Sequence, residues 1–244
     1  MILLVDLGNS RLKWALWDGA ALHAGAALDH AAPLAPQLAA VWRQLPPLGR
    51  VLVASVARAD LEHTLAAAVV RYCGRAAEFV RSRATACGVT SAYAVPETLG
   101  VDRFLALIAL HAAGAAPCVL ASVGTALTLD ALAADGRHLG GLIAPSPSLM
   151  QQALAAATAR ARSAPDAALS EMAGDTAAAV HSGCWLAAVA LVERFHGRAA
   201  AALGGAPSLI LAGGDGARLA PLLALPARYE VDLVLRGLAV WAGA

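Results

Sequence analysis

Three short stretches of this sequence carry side chains whose types and spacing could hold and move a phosphate. The first is Asp6-Leu7-Gly8-Asn9-Ser10-Arg11-Leu12-Lys13. Ile2 to Val5 form an apolar run short enough for a strand buried on both faces. Leu12, Trp14 and Leu16 then alternate with Lys13, Ala15 and Trp17 as a second strand would, which puts Gly8, Asn9 and Ser10 in the turn of a hairpin. Gly8 permits close backbone approach or a positive φ, and Asn9 and Ser10 add short donors, so N–H and O–H groups converge on an anion. Asp6, a carboxylate at the end of a buried strand, needs compensation, and a hydrated divalent cation bridging to a phosphate would supply it. Taken alone, the pentapeptide is equally an ordinary hairpin whose Asp caps its own turn.

A second copy strengthens the phosphate reading. Val119 to Gly136 repeats the plan of apolar strand, Gly-polar turn, alternating strand and Asp-Gly. Ser122 stands where Asp6 stands, Gly124 where Gly8 stands and Thr125 where Asn9 stands, while Asp18-Gly19 and Asp135-Gly136 are both hairpin-turn dipeptides. Two half-chains that each open on such a hairpin predict two similar domains with one nucleotide in the cleft between them. The third stretch runs from Tyr93 to Phe104. Pro96 and Gly100 punctuate it, and Leu105, Ile108, Ala109 and Ala112 continue it as a helix. Asp102 and Arg103 therefore stand at a helix N-terminus, where the dipole favours the carboxylate and the Arg could hold an anionic ligand group.

The elements that must position these groups alternate between strand and helix. The pattern predicts a possible strand over residues 23–32 and a helix from Pro33 to Leu45. Val51 to Val56 should be a strand, Asp60 should open a helix, and Phe79-Val80 should be a short strand. Residues 86–95 read as irregular. In the second half, Gly140-Gly141 permit close backbone approach, and Ser146-Pro147 cap a helix to about Arg162. A polar loop follows over residues 163–174, then a long Ala-rich helix from Thr176 to Leu203. Gly183 inside that helix predicts a close crossing or a ligand contact. Ser208 to Gly216 is a buried strand entering a Gly-rich turn, with Asp215 either a helix cap or a ligand contact, and residues 231–241 close the chain as an amphipathic helix. Such alternation gives a sheet with helices against it, and sites in these sheets lie at the carboxyl ends of the strands.

With 244 residues, a net charge of +1 and only 14% charged residues, the chain offers no basic stripe, which excludes nucleic acid as a partner. Phe104 to Leu129 lacks charge, but His111, Gly114, Pro117, Ser122 and Gly124 interrupt it, so it reads as a buried helix plus a buried strand rather than a membrane span. The N-terminus has no basic region of a signal peptide. Cys73, Cys87, Cys118 and Cys184 show no CxxC spacing and fit buried thiols of a reducing compartment. The expectation is a soluble cytoplasmic protein, with the seven His residues in surface or satisfied core positions.

The motifs in this order resemble the type III pantothenate kinases, of the acetate and sugar kinase, Hsp70 and actin superfamily, across essentially the whole chain. The carrying residues are Asp6 to Lys13, then Tyr93, Pro96, Leu99, Gly100, Asp102 and Arg103. Gly124-Thr125-Ala126, Gly140 to Pro145, and Thr176, Ala179 and Gly183 complete the set. The resemblance implies an α/β fold of duplicated ribonuclease H-like (actin-like ATPase) domains, here 1–117 and 118–244, and ATP-dependent phosphorylation of pantothenate to 4'-phosphopantothenate, the first step of coenzyme A synthesis. By the same resemblance, Asp102 is the catalytic base. Asp6 holds Mg²⁺ through water, and residues Asp6 to Lys13 with Thr125 contact ATP. Tyr93, Gly100, Val101, Asp102, Arg103 and Thr176 contact pantothenate, Thr176 from the second subunit of a homodimer. The family also uses a monovalent cation, K⁺ or NH₄⁺, held with an Asp at the position that is Ser122 here, a neutral and weaker ligand. Pro145-Ser146 replaces the family's Pro-Gly. A nucleotide-binding regulatory protein on the same fold, or a sugar or acetate kinase, are the other readings; the Tyr93 to Arg103 segment does not support the latter.

Overall fold

A computed structural model describes residues 1–158 and 168–244. The chain forms two compact units, Met1–Gly114 with Asp232–Ala244, and Ala115–Val231. The final segment thus returns to the first unit, whereas a simple split at residue 117 assigns it to the second.

The first unit begins with a three-stranded meander, β1 (Ile2–Leu7), β2 (Arg11–Trp17) and β3 (Leu22–Asp29). After α1 (Leu34–Trp42) come β4 (Arg50–Ser55), α2 (Ala59–Cys73) and β5 (Glu78–Phe79). A small hairpin of β6 (Thr85–Ala86) and β7 (Val89–Thr90) and then α3 (Val101–Ala112) complete this stretch. The sheet order is β3-β2-β1-β4-β5, with β4 parallel to β1. Leu3, Leu4, Val5 and Leu7 are all fully buried, so β1 reads as a continuous apolar run because both its faces are covered. On one face Leu3, Val5, Leu12 and Trp14 pack with Leu34, Leu38, Trp42, Leu65 and Val69 of α1 and α2. Trp14 meets Trp42 edge to face with centroids 6.5 Å apart. The α2 helix starts one residue before Asp60, which lies in its first turn with Glu62, where acidic groups complement the dipole. Residues 86–95, read as irregular, contain the β6–β7 hairpin, built on a Cys87-Gly88 turn with φ of 48° and 81°.

The second unit repeats the plan with β8 (Cys118–Val123), β9 (Ala126–Leu132) and β10 (His138–Pro145). After α4 (Pro147–Ala157) and α5 (Thr176–Leu203) follow β11 (Ser208–Ala212), α6 (Gly216–Leu219) and β12 (Ala227–Tyr229). Its order, β10-β9-β8-β11-β12, is that of the first sheet strand for strand. Ser146 Oγ accepts from Leu149 N at 3.2 Å and caps α4, and Asp175 accepts from Ala178 N at 2.9 Å and caps α5. The α4 helix ends at Ala157 rather than near Arg162, and residues 159–167, which span the end of the expected helix and the start of the expected polar loop, lie outside the described residues. The apolar run from Phe104 to Leu129 divides into the body of α3, a turn, β8 and the start of β9. The α5 helix is long and apolar enough to cross a bilayer, and one of its faces, Trp185, Ala188, Val189 and Val192, packs into the core of the sheet.

Helix α7 (Leu233–Ala242) packs on α3 in the first unit. A Cβ on Gly237 would overlap the Leu105 carbonyl, so the two helices approach closely because this position carries no side chain. The sequence places such a crossing at Gly183. There a Cβ would meet nothing within 4 Å, and no crossing within the described residues explains that glycine.

Candidate active site

The β1–β2 turn is three residues long, closed by Gly8 N donating to Arg11 O at 3.0 Å. A Cβ on Gly8 would sit 3.2 Å from that same oxygen, so any other residue would push the turn open. His30, at the end of β3, fastens the turn from outside: its N–H donates to Ser10 O at 3.0 Å and its Nδ1 lies 3.1 Å from Asn9 O. Because a carbonyl can only accept, Nδ1 carries the ring proton in that contact. The turn carbonyls are thereby engaged, while Asn9 donates no hydrogen bond among the described residues. Leu7 and Leu12 are fully buried in the core, so of the Asp6 to Lys13 stretch they offer a ligand only their backbone. Arg11 reaches sideways to Asp29, 3.6 Å away.

Asp6 lies opposite Lys13 in the β1–β2 register and beside Ala54 of β4. Burial pushes its carboxyl up to about 7, the charges of Asp102 and Asp232 act in the same direction, and Lys13 opposes them. Asp6 forms no ion pair among the described residues. Three carboxylates from distant parts of the chain thus share one end of the sheet with a single ammonium, which Asp232 takes: Lys13 Nζ to Asp232 Oδ1 is 3.2 Å. This excess of negative charge fits a cation. No cluster of three or more His, Cys, Asp or Glu able to enclose a metal exists among the described residues. Mg²⁺ keeps its waters and binds through one or two carboxylates and substrate phosphates, a donor set that Asp6 could supply.

Asp102 stands in the first turn of α3, its Oδ1 accepting from Arg103 N at 2.9 Å. The residue before the helix is Gly100, where a Cβ would come within 2.6 Å of Asp102 Oδ1. Its φ of −51° is open to any residue, so glycine is needed there for space and not for conformation. Val101 is core. Arg103 is only 5% exposed and donates from Nη1 to Tyr93 Oη at 2.9 Å, its guanidinium 5.8 Å from the Tyr93 ring centre. Tyr93 and Arg103, ten residues apart in sequence, thus form one joined wall beside Asp102.

In the second unit the corresponding turn is tighter, two residues, with Gly124 N donating to Ala126 O at 2.9 Å. Thr125 is exposed in it. Ser122 occupies the register position of Asp6, beside Ala212 of β11 and opposite Thr128 of β9. Gly213, with φ +82°, brings the next turn against the Val123 carbonyl, which accepts from Asp215 N at 3.0 Å. The Asp215 side chain makes no cap bond; it accepts from Ser148 Oγ of α4 at 3.0 Å. Thr176 is the exposed first residue of α5.

Two participants escaped the sequence reading. A lone His in a weakly patterned strand carries no signal, so His30 was invisible. Asp232 falls inside the helix expected over residues 231–241; in the structure it precedes α7, makes no cap bond and has its partner 219 residues away.

Comparison with known proteins identifies the family. A family model described as type III pantothenate kinase matches residues 2–198. The type III pantothenate kinase of Xanthomonas campestris pv. campestris strain 8004 is 47% identical over 250 residues, covering 98% of this chain and 96% of its own. That of Nitrosococcus oceani is 39% identical over 247 residues, covering 98% and 92%. Among solved structures, a protein from Campylobacter jejuni described as a Baf family transcriptional activator matches with a TM-score of 0.62 at 20% identity, covering 97% of this chain and 94% of its own. The activator of 2-hydroxyisocaproyl-CoA dehydratase from Clostridium difficile, with bound ADPNP, matches with a TM-score of 0.54 at 10% identity, covering 99% and 94%. At such identities the structures speak for the fold, the actin-like ATPase architecture of two like units, and the relatives speak for the family. On the family-model match and the near full-length match to those relatives, the chain belongs to the type III pantothenate kinase family.

Proposed function

We infer that the chain transfers the γ-phosphoryl group of ATP to the primary hydroxyl of pantothenate, the reaction of its family, with Asp102 as the base and Asp6 as the metal-holding carboxylate. The observation that carries this assignment is that Asp102, 96 positions away in sequence, lies close enough to Asp6 for its charge to add to the effect of burial in raising the Asp6 carboxyl. That proximity supports a phosphate turn and an acceptor-orienting acid acting together. Phosphoryl transfer has a loose transition state, so positioning and charge neutralisation supply most of the catalysis.

In this assignment Asp102 orients the pantothenate hydroxyl and accepts its proton. Arg103, held by Tyr93, receives the carboxylate or amide end of pantothenate, with Gly100 leaving room for the Asp102 carboxylate. The backbone of residues 8–12, the Lys13 ammonium and Thr125 contact phosphate oxygens. Mg²⁺, held through water by Asp6, would neutralise charge on the β- and γ-phosphates. A monovalent cation beside Thr125 would have the Ser122 hydroxyl in place of a carboxylate. Strong stimulation by added K⁺ or NH₄⁺ would show that the hydroxyl suffices, and a flat response that it does not.

The active form is a homodimer in which Thr176 reaches the partner's pantothenate. Support comes from the apolar surface of the second unit. Leu142 and Ile143 on the edge strand β10 are 44% and 66% exposed, and Leu149 and Leu154 are exposed on α4. Such an edge is ordinarily covered. A cytoplasmic location fits four free cysteines, of which burial pushes Cys118 up to about 12 and Cys73 to about 11. The test of the assignment is Asp102→Asn. It should fold and bind ATP while phosphoryl transfer falls by at least about 10²; near-full turnover would remove Asp102 from the mechanism.

A further inference from the structure

We propose that Asp232 is a positioning residue that holds the Lys13 ammonium away from Asp6, keeping the half-buried Asp6 carboxylate for the metal and the ammonium for phosphate. The proposal rests on the assignment of Asp6 and Lys13 above. Lys13 lies directly opposite Asp6 across the strand pair, the register at which an acid and a base ordinarily pair. They do not pair here. The ammonium instead sits 3.2 Å from Asp232 Oδ1, and both of these side chains keep about two-fifths of their surface exposed, 40% and 44%.

Without a competing carboxylate, Asp6 would be the acid that the register places opposite the ammonium. Asp232 offers a partner that leaves the ammonium partly solvated, without the desolvation cost of following Asp6 toward the core. A direct Asp6–Lys13 pair would neutralise both groups before nucleotide arrived. Asp232 prevents that by offering a partner on the solvent side. Its backbone suits this role, with φ 55° and ψ 30° in the left-handed region, which Asp tolerates better than most residues. Its carbonyl accepts from Arg236 N at 2.9 Å as the first bond of α7, while its side chain makes no cap bond to that helix. An Asp at a helix start normally caps. This one forgoes the cap and reaches Lys13.

The test is a double-mutant cycle read by equilibrium binding, with the full-length protein and a non-hydrolysable ATP analogue in calorimetry, with and without Mg²⁺. Asp232→Asn, which preserves shape and tolerance of the left-handed backbone, should weaken analogue binding about fivefold and raise the KM for ATP more than it lowers kcat. Asp232→Glu should recover most of that loss. In a Lys13→Met background, Asp232→Asn should have no further effect. Equal weakening in both backgrounds, or none in the native one while Lys13→Met weakens binding, overturns the role of Asp232 and leaves the phosphate turn standing. If Lys13→Met itself leaves analogue binding intact, the phosphate role of Lys13 falls, and this proposal with it.

Discussion

The two sheets of this protein have the same strand order and equivalent hairpins, yet their charges lie in different places. In the first unit Asp6 ends β1 beside Ala54 and opposite Lys13; in the second Ser122 occupies that register beside Ala212 and opposite Thr128. The second sheet has its own carboxylate further down. Asp130 of β9 is fully buried and meets His138 Nε2 of β10 at 2.9 Å. Its counterpart by register in the first unit is apolar, since Asp130 faces Leu120 as Ala15 faces Leu4. One unit therefore leaves a carboxylate unpaired at a strand end, where ligand can reach it, and the other buries a hydrogen-bonded pair in mid-sheet, where none can. The first arrangement costs stability and supplies chemistry; the second joins two strands. The two copies share a scaffold and differ in where the acid stands.

The largest test of that contrast is Asp6→Asn. Activity should fall about 10²-fold or more, the scale of a positioned charge in phosphoryl transfer. The ligand-free protein should meanwhile gain stability. The folded carboxyl titrates near 7 against an ordinary value of 3.8, so the folded state binds the proton more tightly than the unfolded one. The cost of ionising Asp6 grows from about pH 4 to pH 7 and is constant above. Thermal unfolding without nucleotide should show the Asn variant's advantage small at about pH 4.5 and full at about pH 8. An advantage independent of pH would refute the placement of Asp6.

Asp130→Ala should do the opposite, destabilising the second unit by about 3 kcal/mol by leaving His138 without its carboxylate, with kcat per folded molecule unchanged. Denaturant titration with activity measured on the folded fraction separates the two outcomes. Smaller again is Gly237→Ala, which forces a methyl into the Leu105 carbonyl and should cost about 1–3 kcal/mol through the α3–α7 crossing. At the bottom of the scale, Gly183→Ala meets open space and should stabilise α5 by up to about 1 kcal/mol. If Gly183→Ala instead abolishes activity without unfolding the chain, a ligand or a second copy touches that face, and the second unit has a part in the chemistry that its own carboxylates do not show.

Much of this was legible in the chain itself because it was written in local patterns. The apolar run before Asp6, the alternation from Leu12 to Trp17, the Asp-Gly turns, the Ser146-Pro147 cap and the span of α5 all follow from short-range sterics and burial. So did the joint appearance of Asp6, Asp102 and Arg103, through resemblance to a family whose motifs keep their order. Long-range contacts were decided only by the tertiary structure. That α7 returns to the first unit, that Gly237 and not Gly183 is the crossing point, and that Asp215 binds Ser148 are facts about neighbours distant in sequence. The same holds for Asp232, which carries no signal of its own in the expected closing helix. Its role is set by an ammonium 219 residues away, and only the folded sheet brings the two within reach.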